Sequence, residues 1–425
     1  MAEINPFRGY FYNPHIITDL KDVIAPPYDV IAPEESGKYY SKIHNIIHLT
    51  LPQGDKSQDK YHYAATLLNE WIKDEIFARD DSPSLYIYHH RFQINSEVLL
   101  RRGFFALVRL EDFGEGRVLP HEETLSSPKE DRFKLLESTC CNLSPVFLLY
   151  SDGRGEILRL LEEERSSLLA DFTTPDSQVH TLWRVSNKEI HTKVRQIMED
   201  KLLYIADGHH RYEIALRFWK QTKKDMHRWI LAYLSPIEDK SLRILPAHRL
   251  VKGFNNKDWE KLLRKGREYF WIKEFSLNSI EKSFSILSEE GEKRHAFGIL
   301  FNDGRSIKST LLVSKNEKKL QEKMDGHSPA WKHLDISVLH SLIFSHILGF
   351  EEESLQRASR LKYEVDRDKT MRLVKGGSYQ VGFLLNPTKV KEVQMVAERR
   401  EKMPGKATYF YPKVPSGLII HMLER

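Results

Sequence analysis

Residues 202–221, LLYIADGHHRYEIALRFWKQ, contain the pattern that decides the fold. The apolar run 202–206 is typical of a buried strand, and it ends at Asp207-Gly208. The residues that follow at helical spacing are Tyr212, Ala215, Leu216 and Trp219. The stretch therefore predicts a strand that passes through a sharp turn directly into an amphipathic helix.

The predicted turn has the chemistry of an anion site. A helix N-terminus presents unpaired N–H groups and a partial positive charge. Gly208 permits a tight turn, and His209, His210 and Arg211 add donors that suit a phosphate. Two other interpretations stay open: Asp207 is only the helix N-cap beside solvated histidines, or the histidines bind zinc.

The rest of the chain predicts a mixed α+β fold with two lobes, residues 1–250 and 251–425. The predicted helices are 59–77, one starting near Ser127-Pro128 or Glu130, 155–170, 257–271, 335–349 and 389–398. The predicted strands are 85–94, 98–113, 146–150, 229–235, 381–386 and a hairpin of 296–301 with 310–314 around Asn302-Asp303-Gly304.

Length and composition exclude several classes of protein. The 425 residues are 40% hydrophobic and 29% charged, which is typical of a soluble globular chain of two or three domains. Lys plus Arg number 65 against 60 Asp plus Glu, so the net charge of +5 does not favour a nucleic-acid binder. Cys140 and Cys141 are adjacent, so we expect no disulfide and two structural thiols. We see no signal peptide and no apolar run of about 18 residues, and therefore expect a cytoplasmic protein without a membrane partner.

Two further segments carry candidate site residues. Pro120-His121-Glu122-Glu123-Thr124 follows a predicted strand, and its carboxylates beside a histidine offer a general base. The segment 403–409, MPGKATY, combines small residues with Lys406 and Thr408, which suits a phosphate or a ribose. It lacks the GxxxxGK[ST] spacing of a P-loop.

The three segments together resemble a known superfamily. IADGHHRYE is similar to the signature of the ParB/sulfiredoxin-like superfamily, which implies a nucleotide-binding core with large insertions. The order PHE, DGHHR and a late Lys-Ala-Thr loop resembles the archaeal free-serine kinase family. That resemblance implies Glu122 as catalytic base, residues 207–211 at the phosphates, and Lys406, Ala407 and Thr408 at the nucleotide. It also implies that the last segment of the second lobe, about 380–425, closes on the nucleotide site. Ala407 stands where the family usually has a hydroxyl residue.

A second resemblance covers nearly the whole length. INPFRG, APPYDVI, PHEETLSSPKEDR, IADGHHRYE, LLNPT and MPGKATYFYPK are similar to the bacterial family of unknown function DUF1015. This resemblance implies no chemistry of its own.

The function that we expect is transfer of phosphate from ATP or ADP, with Mg²⁺, to the hydroxyl of free L-serine. Asp207 would orient the substrate or hold Mg²⁺ through water. The residues expected to orient Glu122 or bind the serine carboxylate are His121, Lys129, Asp131 and Arg132. Two alternatives stay open: a ParB-like DNA-binding protein, which would need a helix-turn-helix and a basic face, and a metal-dependent hydrolase built on His121, Glu122, His209 and His210.

Overall fold

The computed structural model describes residues 2–54, 59–114, 116–123, 127–276 and 279–423. The strands are β1 Ile4–Asn5, β2 Tyr10–Tyr12, β3 Phe77–Arg79, β4 Leu85–Ile94, β5 Glu97–Arg109, β6 Val118–Leu119, β7 Cys141–Asn142, β8 Val146–Tyr150, β9 Ser167–Thr173, β10 Val179–Val185, β11 Leu203–Asp207, β12 Trp229–Pro236, β13 Arg243–Leu245, β14 His248–Val251, β15 Phe270–Phe275, β16 Ala296–Asn302, β17 Ile307–Ser314, β18 Leu361–Glu364, β19 Val381–Leu384, β20 Tyr409–Tyr411 and β21 His421–Met422.

The helices follow in chain order. They are α1 Pro33–Tyr40, α2 Ile47–Thr50, α3 Lys60–Lys73, α4 Ser127–Thr139, α5 Glu156–Glu163, α6 Lys188–Met198, α7 His209–Thr222, α8 Asn256–Gly266, α9 Ile280–Gly291, α10 Glu317–Gln321, α11 Pro329–Lys332, α12 Asp335–Ser337, α13 Glu352–Arg357, α14 Arg367–Lys375 and α15 Val390–Glu398. A π-helix, Val338–Leu348, continues α12, and short 3₁₀ turns cover Leu20–Asp22, Tyr28–Val30 and Asp225–Arg228. The mixed α+β fold class is confirmed.

The chain forms two compact units. The first contains residues 1–120, 124–242 and 412–425, and the second contains residues 121–123 and 243–411. The two lobes predicted from the sequence are continuous and divide at residue 250. The compact units are discontinuous in sequence, because residues 121–123 belong to the second unit and residues 412–425 belong to the first.

The first unit is built on a nine-stranded mixed sheet. Its strand order is β6-β11-β8-β12-β5-β4-β10-β9, with β1 paired to β5. Strands β11 and β6 are parallel, and so are β12 and β8, whereas the other pairs are antiparallel. The main core joins this sheet to apolar residues of α4, α5, α6 and α7, among them Phe133, Leu161, Val194 and Tyr212. Strand β11 lies next to the short edge strand β6, and its C-terminal end holds Asp207.

The second unit is built on an antiparallel sheet of six strands, in the order β15-β17-β16-β19-β14-β18. Helices α9 and α14 pack against it through Phe284, Leu287, Met371 and Val374. A separate pair, β13 and β20, joins residues 243–245 to residues 409–411. This pair fixes the chain immediately after the Lys406–Thr408 loop.

Two predicted helices are too long. The helix expected at 155–170 ends at Glu163, and residues 167–173 form β9, which pairs with β10. The helix expected at 257–271 ends at Gly266, and Phe270 begins β15. In both cases the apolar residues after the helix pack in an antiparallel pair, so a short run of Leu or of aromatic residues was misassigned.

The two cysteines are free thiols in different environments. Cys141 is buried in β7, and burial raises the pKa of its thiol, while Cys140 is only half-buried. Because the thiolate is the reactive form, we expect a disulfide reagent at pH 8 to label Cys140 first and Cys141 only after unfolding. Counting released chromophore with and without denaturant measures this. Rapid reaction of both thiols in the native protein would contradict it, and a Cys140→Ser variant identifies the fast thiol.

Candidate functional site

The strand–turn–helix predicted from residues 202–221 is present in the first unit. Strand β11 ends at Asp207, and α7 begins at His209. Gly208 is the N-cap and has a φ of +93°, a conformation that glycine adopts readily. The pairing of β11 with β8 shifts register between Ile205 and Asp207, which is the kind of irregularity that sheets often have beside functional sites.

Asp207 is not the helix cap that the alternative interpretation supposed. Its Oδ2 accepts a hydrogen bond of 2.6 Å from the Arg211 guanidinium, and its Oδ1 accepts one from the Lys413 ammonium. Burial alone would raise the pKa of this carboxyl, but Lys413 and Arg211 outweigh burial and lower its pKa well below the ordinary value. The ionised carboxylate thus holds two cationic side chains at the turn.

Arg211 is fixed by more than Asp207. Its guanidinium also donates to the backbone carbonyl of Pro145, and a Cβ added at Gly208 would lie 3.0 Å from its Cζ. A glycine is therefore needed both for the positive φ and for the close approach of Arg211. His209 is buried and His210 is half-buried beside this arginine. The arrangement concentrates positive charge at the N-terminus of a 14-residue helix.

The predicted substrate-binding residues of α4 are paired with each other and with α3 and α7. Asp131 accepts hydrogen bonds from the Lys60 ammonium at 2.5 Å, from the Tyr61 hydroxyl at 2.8 Å and from Arg132. Lys129 forms an ion pair of 2.6 Å with Glu213 of α7. These three charged side chains are therefore held by neighbours in the same unit.

Arg132 also lines a small cavity. Its guanidinium lies 4.5 Å from the ring centre of Tyr28 and donates to the carbonyl of Thr50. Burial raises the pKa of Tyr28 to about 12. The cavity, of about 80 Å³, is lined by Tyr28, Thr50, Arg132, Leu135, Leu136, Cys141, Asn142, Leu143, Ser144, Arg211, Ile214 and Ile230. The two arginines in this cavity suit an anionic group. The group must be small, because the cavity is far smaller than the roughly 300–1,000 Å³ of ligand pockets in general.

The second unit brings the other two predicted segments together. Glu122 forms a parallel bridge with Met403, and the Met403 N–H donates to the His121 carbonyl at 2.7 Å. The Lys406 N–H donates to Glu122 Oε1 at 2.5 Å. His121 Nε2, which is fully buried, lies 2.8 Å from the Thr408 hydroxyl. Both the predicted base and its neighbouring histidine are thus bonded to the predicted nucleotide loop, while Thr124 lies outside the described residues.

Arg249 supports this loop from β14. Its guanidinium is buried and donates to the carbonyls of Gly405 and Lys406 at 3.0 and 3.1 Å. Lys406 itself has a φ of +55°, and the Ala407 carbonyl accepts from the Thr388 hydroxyl at 3.1 Å. The backbone of the loop is therefore held at several points beside Glu122.

Sequence reasoning missed two residues of these sites. Lys413 is the last residue of the MPGKATYFYPK segment, and this position in a family motif could have identified it as a candidate site residue. Arg249 had none, because its partners are backbone carbonyls more than 150 residues away, which no sequence pattern marks.

Direct coordination of Mg²⁺ by Asp207 fits these contacts poorly. Each of its carboxylate oxygens already accepts from a cationic side chain, so a metal ion bound directly would compete with Arg211 and Lys413 for the single negative charge. A contact through water remains a prediction. Within the ranges that the structure describes, the group of three or more potential metal ligands is a different set: His295, Glu317 and His333.

A comparison with protein families identifies the chain. Residues 4–337, more than half of its length, match the family described as "Protein of unknown function (DUF1015)". The chain belongs to this family, which confirms the resemblance of its motifs. No curated protein matches the sequence. In the described part of the chain, no helix has the length and apolar content that crossing a membrane would require.

Several solved structures resemble parts of the chain at low similarity. One is a conserved hypothetical protein from Pyrococcus furiosus, at 15% identity over 73% of this chain and 93% of the other, with a TM-score of 0.38. Another is a free serine kinase in complex with AMP, at 14% identity over 72% and 86%, with a TM-score of 0.37. A third is SbnI with C-terminal truncation from Staphylococcus aureus, at 12% identity over 73% and 85%, with a TM-score of 0.36. TM-scores below 0.5 assign no activity to the chain.

Proposed function

We propose that this protein transfers a phosphoryl group from ATP or ADP to the hydroxyl of free L-serine and produces O-phosphoserine. The observation that carries the proposal is the contact between Glu122 and the Lys406 N–H. It joins the segment that resembles the base of the free-serine kinases to the segment that resembles their nucleotide loop. The remaining support is the Asp207–Arg211 turn, whose cations suit phosphate oxygens.

Glu122 is proposed to accept the proton of the serine hydroxyl as the serine oxygen attacks the terminal phosphorus of the nucleotide. The bond from that phosphorus to the bridging oxygen breaks at the same time, and ADP leaves when ATP is the donor, or AMP when ADP is the donor. A general base must lie within hydrogen-bond reach of the proton that it takes, and the hydrogen bond from the Lys406 N–H holds the Glu122 carboxyl beside the loop. His121 is bonded to Thr408, so we assign it to positioning rather than to proton transfer. Lys406, Ala407 and Thr408 are proposed to bind the nucleotide.

The residues of the turn are proposed to neutralise charge on the phosphates. Asp207 holds Arg211 and Lys413 in place, while Gly208, His209 and His210 present the N-terminus of α7. Phosphoryl transfer depends mainly on such positioning and charge neutralisation. We assign the carboxylate of Asp207 to organising these cations, and we retain Mg²⁺ as a predicted companion of the nucleotide. Arg132 is proposed to bind the serine carboxylate, with Lys129 and Asp131 supporting α4.

The direct test is a product assay. Purified protein is incubated with ATP or ADP, Mg²⁺ and L-serine, and O-phosphoserine is measured by mass spectrometry and by ³¹P NMR. D-serine, L-threonine and L-homoserine serve as alternative acceptors, and an incubation without acceptor measures nucleotide hydrolysis. Phosphorylation that favours one of the alternative acceptors would correct the substrate. No transfer to any hydroxyl, together with no thermal stabilisation by ATP or ADP, would refute the proposal.

A further inference from the structure

A second cluster of ligating side chains lies in the second unit, in a part of the chain that no motif marked. His295 precedes β16, Glu317 begins α10, and His333 follows α11. Each side chain offers one ligand atom, and the three atoms lie within 4.8 Å of one another. The centres of the His295 and His333 rings are 5.7 Å apart. Histidine nitrogens with a carboxylate oxygen form the ligand set that zinc prefers in proteins.

The decisive feature is the hydrogen bonding of His295. This side chain is buried, with only 4% of its surface exposed. Its Nδ1 lies 2.7 Å from the Asp335 carboxylate, which can accept a hydrogen bond only from a proton on Nδ1. Its Nε2 has no hydrogen-bond partner in the described structure. A buried ring nitrogen without a partner is energetically costly, and a metal ion bound by Nε2 would satisfy it.

The Asp335–His295 pair resembles the carboxylate–histidine pairs found at metal sites in proteins. Histidines that bind metals usually give their other ring N–H to a carboxylate, which sets the tautomer and the ring orientation. Here Asp335 supplies that carboxylate from the first residue of α12. The backbone is also fixed, because the Ser314 N–H donates to the His295 carbonyl at 2.9 Å, three residues before Glu317. The ligand and its orienting group are therefore already in place.

The other two ligands are already close to each other. His333 Nδ1 lies 2.6 Å from Glu317 Oε1, and both side chains are about half exposed. A metal ion would take the place of the proton shared by this pair. Metal–ligand bonds of about 2.0–2.2 Å in a tetrahedral site place the ligand atoms about 3.4 Å from one another. Metal binding would therefore separate His333 Nδ1 and Glu317 Oε1 slightly and bring His295 closer to this pair.

We propose that His295, Glu317 and His333 bind one Zn²⁺ ion, with Asp335 orienting His295 and the exposed side open to water. Three protein ligands leave a fourth tetrahedral position for solvent or a small ligand. The site ties the start of β16 to the ends of two short helices, so bound metal would stabilise this part of the second unit. The proposal is independent of the proposed kinase activity, since it uses none of the residues assigned to that reaction.

The test uses the full chain and Zn²⁺ itself. After treatment with a chelator and dialysis, we expect isothermal titration with Zn²⁺ to show one saturable site per chain and a rise in melting temperature. Co²⁺ should give the visible absorption of a tetrahedral nitrogen–oxygen site. Glu317→Gln and His333→Ala should each remove saturable binding, and both side chains are exposed enough for these variants to fold. Asp335→Asn should weaken binding about 10–100-fold without changing the stoichiometry.

His327→Ala is the matched control, because His327 lies six residues before His333 and stacks on Trp331 rather than joining the cluster. It should bind Zn²⁺ as the wild type does. The proposal is overturned if the wild type shows no saturable binding, or if Glu317→Gln and His333→Ala bind Zn²⁺ as tightly as the wild type.

Discussion

Glu122→Gln is expected to lower the turnover of nucleotide-dependent serine phosphorylation by about 10²–10⁴-fold, which is the usual contribution of a general base. Glutamine keeps an oxygen that can accept from the Lys406 N–H, so the loop geometry should survive. It cannot take up the serine proton at neutral pH. We therefore expect the Kd for ATP or ADP to change by less than about threefold, which corresponds to about 0.7 kcal/mol in binding free energy. Turnover is measured by initial rates of O-phosphoserine formation, and affinity by titration calorimetry.

Glu123→Gln is the matched control, since it removes the neighbouring carboxylate from an exposed side chain. It should keep nearly full turnover. Equal losses in both variants would point to a general effect of charge near the loop rather than to a base. Full turnover in Glu122→Gln would refute the role assigned to Glu122, and loss of nucleotide binding would reassign Glu122 to the structure of the loop.

Local patterns predicted several of the longer elements correctly, because they report on nearest neighbours along the chain. The strand–turn–helix at 202–221, helix α3 and the hairpin β16–β17 all follow from periodicity and turn residues. The two overlong helices failed where short apolar runs suit either a helix or a strand. There the long-range pairing of β9 with β10, and of β15 with β17, decides the outcome.

Sequence patterns indicated which residue types belong to the candidate site, but they could not predict the contacts between those residues. The bond between Glu122 and Lys406 spans 284 residues, and the pair Asp207–Lys413 spans 206. Nothing local in the sequence indicates that Lys413 neutralises Asp207. The resemblance to known families placed the motifs in one reaction, but only the fold shows that Glu122 lies beside the loop at Lys406. The same holds for the cluster at His295, whose ligands come from three different elements.

Asp207→Asn is expected to destabilise the first unit by about 3–5 kcal/mol at pH 7, because it leaves two buried cations without their counter-charge. The side chains of Asp207, Arg211 and Lys413 are 13%, 15% and 9% exposed, so solvent screens the charges weakly. Urea titration followed by circular dichroism measures the loss. Asp225→Asn is the control: its carboxylate is 97% exposed and pairs with Arg228, so we expect a change of about 0–1 kcal/mol.

A second variant separates two effects of Asp207→Asn, which are the loss of the ion pair with Lys413 and the replacement of a carboxylate oxygen by an amide nitrogen. Lys413→Met removes one of the two cations, so Asn at position 207 should be less harmful in that background than in the wild type. The double-mutant cycle then gives a coupling energy of about 0.5–3 kcal/mol between the two residues. Additive losses would show that Asp207 and Lys413 do not stabilise each other.

The dependence on pH gives an independent check with a definite sign. The pKa of Asp207 is lowered in the folded protein, so the folded state binds this proton less readily than the unfolded state, where the value is about 3.8. The stabilisation is therefore fully present above that unfolded value and is lost as the pH falls below it towards the folded value. We expect the difference in unfolding free energy between wild type and Asp207→Asn to be constant from pH 7 to about pH 5 and to shrink below about pH 4. If this difference in unfolding free energy grew as the pH fell, the pKa of Asp207 would have to be raised in the folded protein. That outcome would refute the assignment of the Asp207 carboxylate as the group that holds Arg211 and Lys413.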